Sequence, residues 1–284
     1  MANGVASIHS LEHGETFHPV VGPVAEAEAL YVRQLRLPRR MREGDEEFVI
    51  WDVGLGAAAN VLTMLKAAED IPGKLRIISF DHTLAPLDFG LQHAHELGYF
   101  EGFEDVLKDF LRNHHVTFQN GQQRVEWELR LGDFPQYING AGAETLPKPH
   151  AILFDAFSAA TNPAMWTQPL FARIFKLLGP NRPCALPTYS RSTMLRVSLL
   201  LAGFYVGVGH ATGEKEETTI AANSMTLIEE PLGRNWLARA HRSTSAEPLW
   251  QPVYRQAEMS LETWQKLGRH PQFGQRTTAS KGQC

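Results

Sequence analysis

Residues 48–60 read Phe-Val-Ile-Trp-Asp-Val-Gly-Leu-Gly-Ala-Ala-Ala-Asn and follow an acidic turn, Gly44-Asp45-Glu46-Glu47. An apolar run bounded by a polar turn and a glycine pair reads as a buried strand entering a tight turn. Beyond it, Val61, Leu62 and Leu65 fall at helical spacing. Strand, glycine turn and helix therefore follow in order. Gly54 and Gly56 let the backbone approach a ligand closely at a helix N-terminus, where a nucleotide cofactor is held in doubly wound folds. The plain alternative is a glycine turn that holds nothing.

Working outward, Leu75–Asp81, Val125–Asp133, His150–Phe157 and Cys184–Ser190 are further strand-like runs. Residues 87–113 and 163–178 carry helix signals, and Ser192 to Ala202 reads as a helix closed by Gly203. The runs 204–210 and 218–225 read as a final antiparallel hairpin. Strands alternating with helices imply an α/β fold with a mostly parallel sheet covered on both faces. The expected division is an N-terminal extension (1–45), a sheet domain (46–230) and a basic C-terminal extension (231–284).

The 284 residues are 43% hydrophobic and 20% charged, a globular composition that excludes wholesale disorder. No apolar run approaches the length that crosses a bilayer, and residues 1–15 lack a basic start followed by an apolar stretch. Cys184 and Cys284 are too few for a disulfide framework or a four-thiolate zinc site, so a cytoplasmic location is expected. His93 and His95 point to different faces of a helix, and no metal site is expected. The net charge of -4 hides an asymmetry, because residues 231–284 hold eight Lys/Arg against three Asp/Glu. A second basic cluster comprises Arg33, Arg36, Arg39, Arg40 and Arg42. Two basic patches on an acidic body suit an anionic partner, or are simply solvated faces.

Four acids end strands. Asp52, two residues before Gly54, suits the amino group of a sulfonium ligand and repels a pyrophosphate; this favours S-adenosylmethionine over NAD, which the glycine spacing alone does not separate. Asp81, 27 residues after Gly54, is placed to accept ribose hydroxyls. Asp133 is placed for an adenine amino group, or starts a turn. Asp155 is placed to orient or deprotonate an acceptor amine, or caps the next helix. Trp166 is read evenly as a stacking platform or as core.

Together these residues resemble the methyltransferase domain of the MnmC family, bifunctional enzymes that finish 5-methylaminomethyl-2-thiouridine at the tRNA wobble position, and its stand-alone relatives. The family's first motif matches Asp52, Gly54, Gly56, Ala58 and Asn60, and its second matches Ile78-Ser79-Phe80-Asp81 with Pro86-Leu87. Gly132-Asp133, Asp155-Ala156-Phe157 and Asn162-Pro163-Ala164-Met165-Trp166 continue it, as do Thr188-Tyr189-Ser190, Leu195-Arg196 and Ala202-Gly203-Phe204. Glu28 with Tyr31-Val32 matches a segment ahead of the first motif. The resemblance covers about residues 14 to 245.

It implies a Rossmann-like class I S-adenosylmethionine-dependent methyltransferase with a seven-stranded sheet. It implies S-adenosyl-L-methionine as cofactor, no metal, and tRNA as partner; the FAD-binding half of the bifunctional enzymes has no counterpart in the resemblance, so no FAD is expected. Glu28, Asp52, Gly54, Gly56, Asn60, Asp81 and Asp133 would hold the cofactor. Asp155 would be catalytic, and Phe157, Asn162, Trp166 and Tyr189 would meet the substrate. Three departures stand out. Ala58 replaces a glycine, which ordinary φ/ψ angles would tolerate; Asp155-Ala156 replaces Asp-Gly; and Lys215-Glu216-Glu217 replaces a basic pair. A methyltransferase on a small amine or another nucleic-acid site, and a non-catalytic cofactor-binding protein, stay open. An NAD oxidoreductase lacks a Tyr-x-x-x-Lys constellation. A chain ending at residue 230 is expected to keep cofactor binding and lose tRNA.

Overall fold

The computed structural model describes residues 6–11, 14–17, 21–44, 47–213 and 216–274; Asp45, Glu46, Lys215 and Cys284, singled out above, lie outside these. The strands are β1 (His9–Ser10), β2 (Glu15–Thr16), β3 (Glu47–Val53), β4 (Gly73–Asp81), β5 (His115–Asn120), β6 (Gln123–Leu131), β7 (Ala151–Phe154), β8 (Ala185–Thr188), β9 (Tyr205–Gly209), β10 (Thr218–Ala222) and β11 (Glu230–Pro231). β1 and β2 form a small antiparallel ribbon. The others make one sheet in the order β11-β9-β10-β8-β7-β3-β4-β6-β5. Its centre is parallel, from β6 through β4, β3 and β7 to β8, and both flanks are antiparallel.

The α/β class and the C-terminal hairpin are as the sequence implies. The sheet is wider than the seven strands expected, because β5 and the two-residue β11 join its edges. β5 pairs with β6 from Asn120↔Gln123 outward, and the loop between them opens on Gly121 at φ 54°. The two loop residues are Gly121 and Gln122, and glycine at the first supplies the positive φ that a tight hairpin turn requires there.

The register sets the ligand edge. Val53 pairs with Phe80 and Phe154, and Asp81 with Leu131, so these central strands end level. The chain leaves β3 towards β4 on one side and returns to β7 on the other. This switch point opens a crevice between the carboxyl ends of β3 and β7, where such folds bind ligands.

A hydrophobic cluster covers each face. Trp51 and Val53 pack with Trp166, Phe171 and Leu186 on one; Phe48 and Ile50 pack with Leu62, Leu65 and Trp127 on the other. Both segments expected as extensions are built into these cores. Leu30, Tyr31, Leu37 and Met41 belong to the second cluster. Trp236, Leu249, Leu267 and Phe273 belong to the first. Gln272 behaves as part of the sheet: its side chain accepts from the Val206 amide at 2.8 Å and donates to the Val206 carbonyl at 2.7 Å. Cys184, just before β8, is 1% exposed, and burial pushes its thiol up to about 12. Among the described residues no helix is long and apolar enough to cross a membrane.

Candidate active site

The glycine turn after β3 is held by two neighbours. The Gly54 amide donates to the Phe80 carbonyl at 3.0 Å, and the Gly56 amide donates to the Asp81 carboxylate at 2.9 Å. Gly54 has φ 90°, and a Cβ there would sit 2.6 Å from the Asp155 carbonyl oxygen. No other residue fits between β3 and β7 at this level. Ala58 adopts φ 60°, ψ 14° at the N-cap of the helix Ala59–Ala68. Ordinary angles were expected, and the left-handed ones cost about 1–2 kcal/mol in a non-glycine residue. Burial of its methyl group, fully enclosed, offsets part of that.

Around the turn lies an open cavity of about 1230 Å³. A drug-sized ligand occupies a pocket of roughly 300–1,000 Å³, so the space exceeds what one such ligand requires. Glu15, Glu26, Asp81, Asp133 and Asp155 line it, and among the described lining residues there is no lysine or arginine. The β1–β2 ribbon closes one side. There the Glu15 carboxylate accepts from the Ser158 amide at 3.2 Å and from the Thr161 hydroxyl. Phe17 packs on Phe157 with ring centroids 5.5 Å apart.

Of the residues expected at the site, Gly54, Gly56, Asn60, Asp81, Asp133, Asp155, Phe157, Asn162 and Tyr189 all line this cavity. Asp155 accepts from the Asn60 amide group at 2.8 Å. Asp81 also accepts from the Thr83 amide at 3.2 Å. Asp133 combines two readings: it faces the cavity and N-caps the helix Phe134–Asn139, accepting from the Gln136 amide at 2.7 Å. Tyr189 donates to the Ala156 carbonyl at 3.0 Å.

Three residues stand elsewhere. Trp166 is fully buried, edge-on to Phe154 and Tyr189, and its indole N–H donates to the Phe157 carbonyl at 2.7 Å. It shapes the wall from behind. Asp52 lies under the turn and accepts from Ser79 Oγ at 2.7 Å, while Ser79 accepts from Trp127 Nε1 at 2.9 Å. Desolvation, opposed by the Ser79 bond and aided by Asp81 and Asp155, pushes its carboxyl up to about 7. Glu28 is outside the lining, 3.9 Å from Arg33.

Sequence reading missed Glu26, two residues before Glu28 and buried at the cavity wall, and the whole contribution of β1 and β2. It also gave no role to Tyr31, whose buried hydroxyl has no hydrogen-bond partner among the described residues. Burial, then Asp155, Glu26 and Asp52, hold that phenol well above its usual range. Helical periodicity brings Ala27 and Tyr31 to one face, but nothing in the sequence ties that face to β7. Three of the N-terminal arginines are engaged within the fold: Arg40 donates to the His150 carbonyl at 2.7 Å, Arg36 binds Glu229, and Arg39 pairs with Glu43. Among the described residues no group of three or more His, Cys, Asp or Glu is placed to hold a metal ion.

The family whose sequence profile matches residues 98–224 is described as S-adenosyl-L-methionine-dependent methyltransferase. That match and the relatives that follow support an S-adenosyl-L-methionine-dependent methyltransferase. This methyltransferase is related to the tRNA 5-methylaminomethyl-2-thiouridine biosynthesis bifunctional proteins MnmC. It is 27% identical to that of Methylibium petroleiphilum over 84% of this chain, and 29% identical to that of Aeromonas hydrophila over 81%. It spans 36% of the length of each. The crystal structure of MNMC2 from Aquifex aeolicus shares its fold, with a TM-score of 0.68 at 22% identity over 94% of this methyltransferase and 80% of that chain.

Proposed function

We propose that this methyltransferase N-methylates 5-aminomethyl(-2-thio)uridine at the wobble position of tRNA. The observation that carries the reading is the Asp155 carboxylate. It sits at the end of β7, gripped by Asn60, between the glycine turn and the wall of Phe157 and Asn162. A cavity lined by five carboxylates favours a cationic cofactor and a cationic amine, and disfavours a bare phosphate. The MnmC relatives are named for biosynthesis of 5-methylaminomethyl-2-thiouridine in tRNA, the nucleoside that this methylation would yield.

The residues present fit the cofactor. Gly54 leaves a cradle that a Cβ would fill, and buried oxygens of Asp52 and Asn60 have no partner among the described residues. Asp81 keeps acceptor capacity beyond the two amides it receives, since a carboxylate offers about four lone-pair sites. Gly54, Gly56 and Asn60, with Asp52 beneath them, would hold the methionine portion, Asp81 the ribose and Asp133 the adenine. Glu26, which lines the cavity, would take the cofactor-binding role that the resemblance gave to Glu28. When bound, S-adenosylmethionine supplies an electrophilic methyl group on a positively charged sulfur.

A primary alkylammonium has a pKa near that of lysine, about 10.4, so it arrives protonated and without a free electron pair. Asp155 binds the ammonium and takes its proton, directly or through water. Phe157, Asn162 and Tyr189 hold the acceptor so that the freed nitrogen lone pair approaches in line. Positioning of this kind supplies most of the acceleration for a transfer between bound partners.

The test is transfer of labelled methyl groups to tRNA from cells lacking the modification step. Label in the wobble nucleoside is the expected result. Label in small alkylamines and none in tRNA would replace the reading with a small-amine methyltransferase, which the same acidic cavity would serve.

A further inference from the structure

Residues 247–257 form a loop whose ends meet, because the amides of Ala246 and Glu247 both donate to the Ala257 carbonyl, at 2.9 and 3.0 Å. Loops closed this way pack on themselves and are frequently functional. The Glu247 carboxylate fastens the foot. It accepts from the Ser260 amide at 2.8 Å, the Thr263 hydroxyl at 3.0 Å and the Trp250 indole N–H at 3.0 Å. The tip nevertheless turns large side chains to solvent: Trp250 is 41% exposed, Val253 63% and Tyr254 40%. Arg255 is exposed beside them, and the Lys266 ammonium lies 5.6 Å over the Trp250 ring.

This loop is moored beside the cavity. Leu249 bridges Thr167 in parallel, and its carbonyl accepts from the Gln168 amide at 2.8 Å. Thr167 directly follows the turn Pro163–Trp166, whose Met165 lines the cavity together with Asn162. An ordered loop with clustered apolar exposure marks an interaction surface. The cavity's described lining offers no cation to a phosphate, so a nucleic acid has to be held outside it. Residues 231–274 carry six Lys/Arg against three Asp/Glu.

We propose that the 247–257 loop is a single-stranded RNA surface: Trp250 and Tyr254 stack unpaired bases, and Arg255 and Lys266 meet phosphates. Aromatic faces interleaved with cations are how sequence-tolerant single-strand binders work. The exposed Lys266–Glu262 pair does not stand in the way, since such pairs contribute little. The inference rests on the RNA reading above and narrows where the RNA lies.

The experiment measures binding of an anticodon stem–loop oligonucleotide to the full chain and to Trp250→Ala, Tyr254→Ala, Trp250→Phe and Arg255→Glu. Each alanine variant is expected to bind about tenfold more weakly, with Trp250→Phe restoring most of the loss. Arg255→Glu should lower the slope of log affinity against log salt by about 0.7 or more. Calorimetry with S-adenosylhomocysteine, unchanged, shows that each variant is folded. RNA affinity equal to wild type in folded variants overturns the proposal and leaves the patch to a protein partner. If the loop binds RNA but tRNA takes no methyl group, the acceptor reading fails and the loop proposal stands. If tRNA is methylated and loop variants change nothing, the reverse holds. No RNA binding by the wild type overturns both.

Discussion

Asp155 carries the chemistry proposed here, and its removal separates binding from reaction. Asp155→Asn keeps the shape and an oxygen for Asn60 but removes the base. Single-turnover methyl transfer should slow by about 10²-fold or more, while S-adenosylhomocysteine affinity stays within about threefold; the reverse pattern would move Asp155 to the cofactor. Asp52 makes a different demand. Its folded pKa, raised to about 7 from 3.8, means the native state holds a proton between roughly pH 4 and pH 7 that the unfolded chain has released. The native state binding more protons makes stability fall as pH rises through that window, by at most about 1.4 kcal/mol per pH unit, and level off above it. Urea unfolding of the ligand-free protein across this range should show that slope, and Asp52→Asn should flatten it. The acids at strand ends were legible in the sequence because a carboxylate after an apolar run is a local pattern. Which of them face the cavity was not, since that depends on rotamers and on partners such as Ser79, 27 positions from Asp52.

At the scale of elements, long periodic stretches gave themselves away and short edges did not. β3 and its glycine turn, the helix Ala59–Ala68 and the β9–β10 hairpin could be read directly. β5 was hidden because His115 to Asn120 mixes polar and apolar residues at a sheet edge, where burial is partial. Its turn residue is testable. Gly121 has φ 54°, and an added Cβ would stand 2.2 Å from the Glu69 carbonyl oxygen, which already accepts from the Gln122 amide at 2.8 Å. Gly121→Ala should lower stability by about 2 kcal/mol or more, read as a shifted urea midpoint; an unchanged midpoint would show that the hairpin turn relaxes freely. The β1–β2 ribbon was illegible for another reason. Its two-residue strands carry no periodicity, and its Glu15 acts on residues more than 140 positions away.

At the scale of the whole molecule, segments before and after the sheet both pack into its cores. Composition and charge alone favoured a basic tail beyond a finished sheet, but that tail supplies Trp236, Leu237, Met259, Leu267 and Phe273 to the core. A chain ending at residue 230 should therefore be insoluble or lack a cooperative thermal transition; a soluble, cooperatively folding product that binds S-adenosylhomocysteine would show that the sheet closes without it. Cys184 offers a way to watch this closure. A thiol held near pKa 12 and 1% exposed is inert to alkylation while the sheet is shut, because the thiolate is the reactive form. In a Cys284→Ser background, the labelling rate of Cys184 becomes a clock for openings that part β8 from its neighbours. Saturating S-adenosylhomocysteine should slow that clock by the factor its affinity dictates, about a hundredfold at one hundred times the dissociation constant, provided reclosing outpaces labelling. The buried Cys184 thiol thereby turns ligand binding at the carboxyl ends of the strands into a chemical rate that mass spectrometry can count.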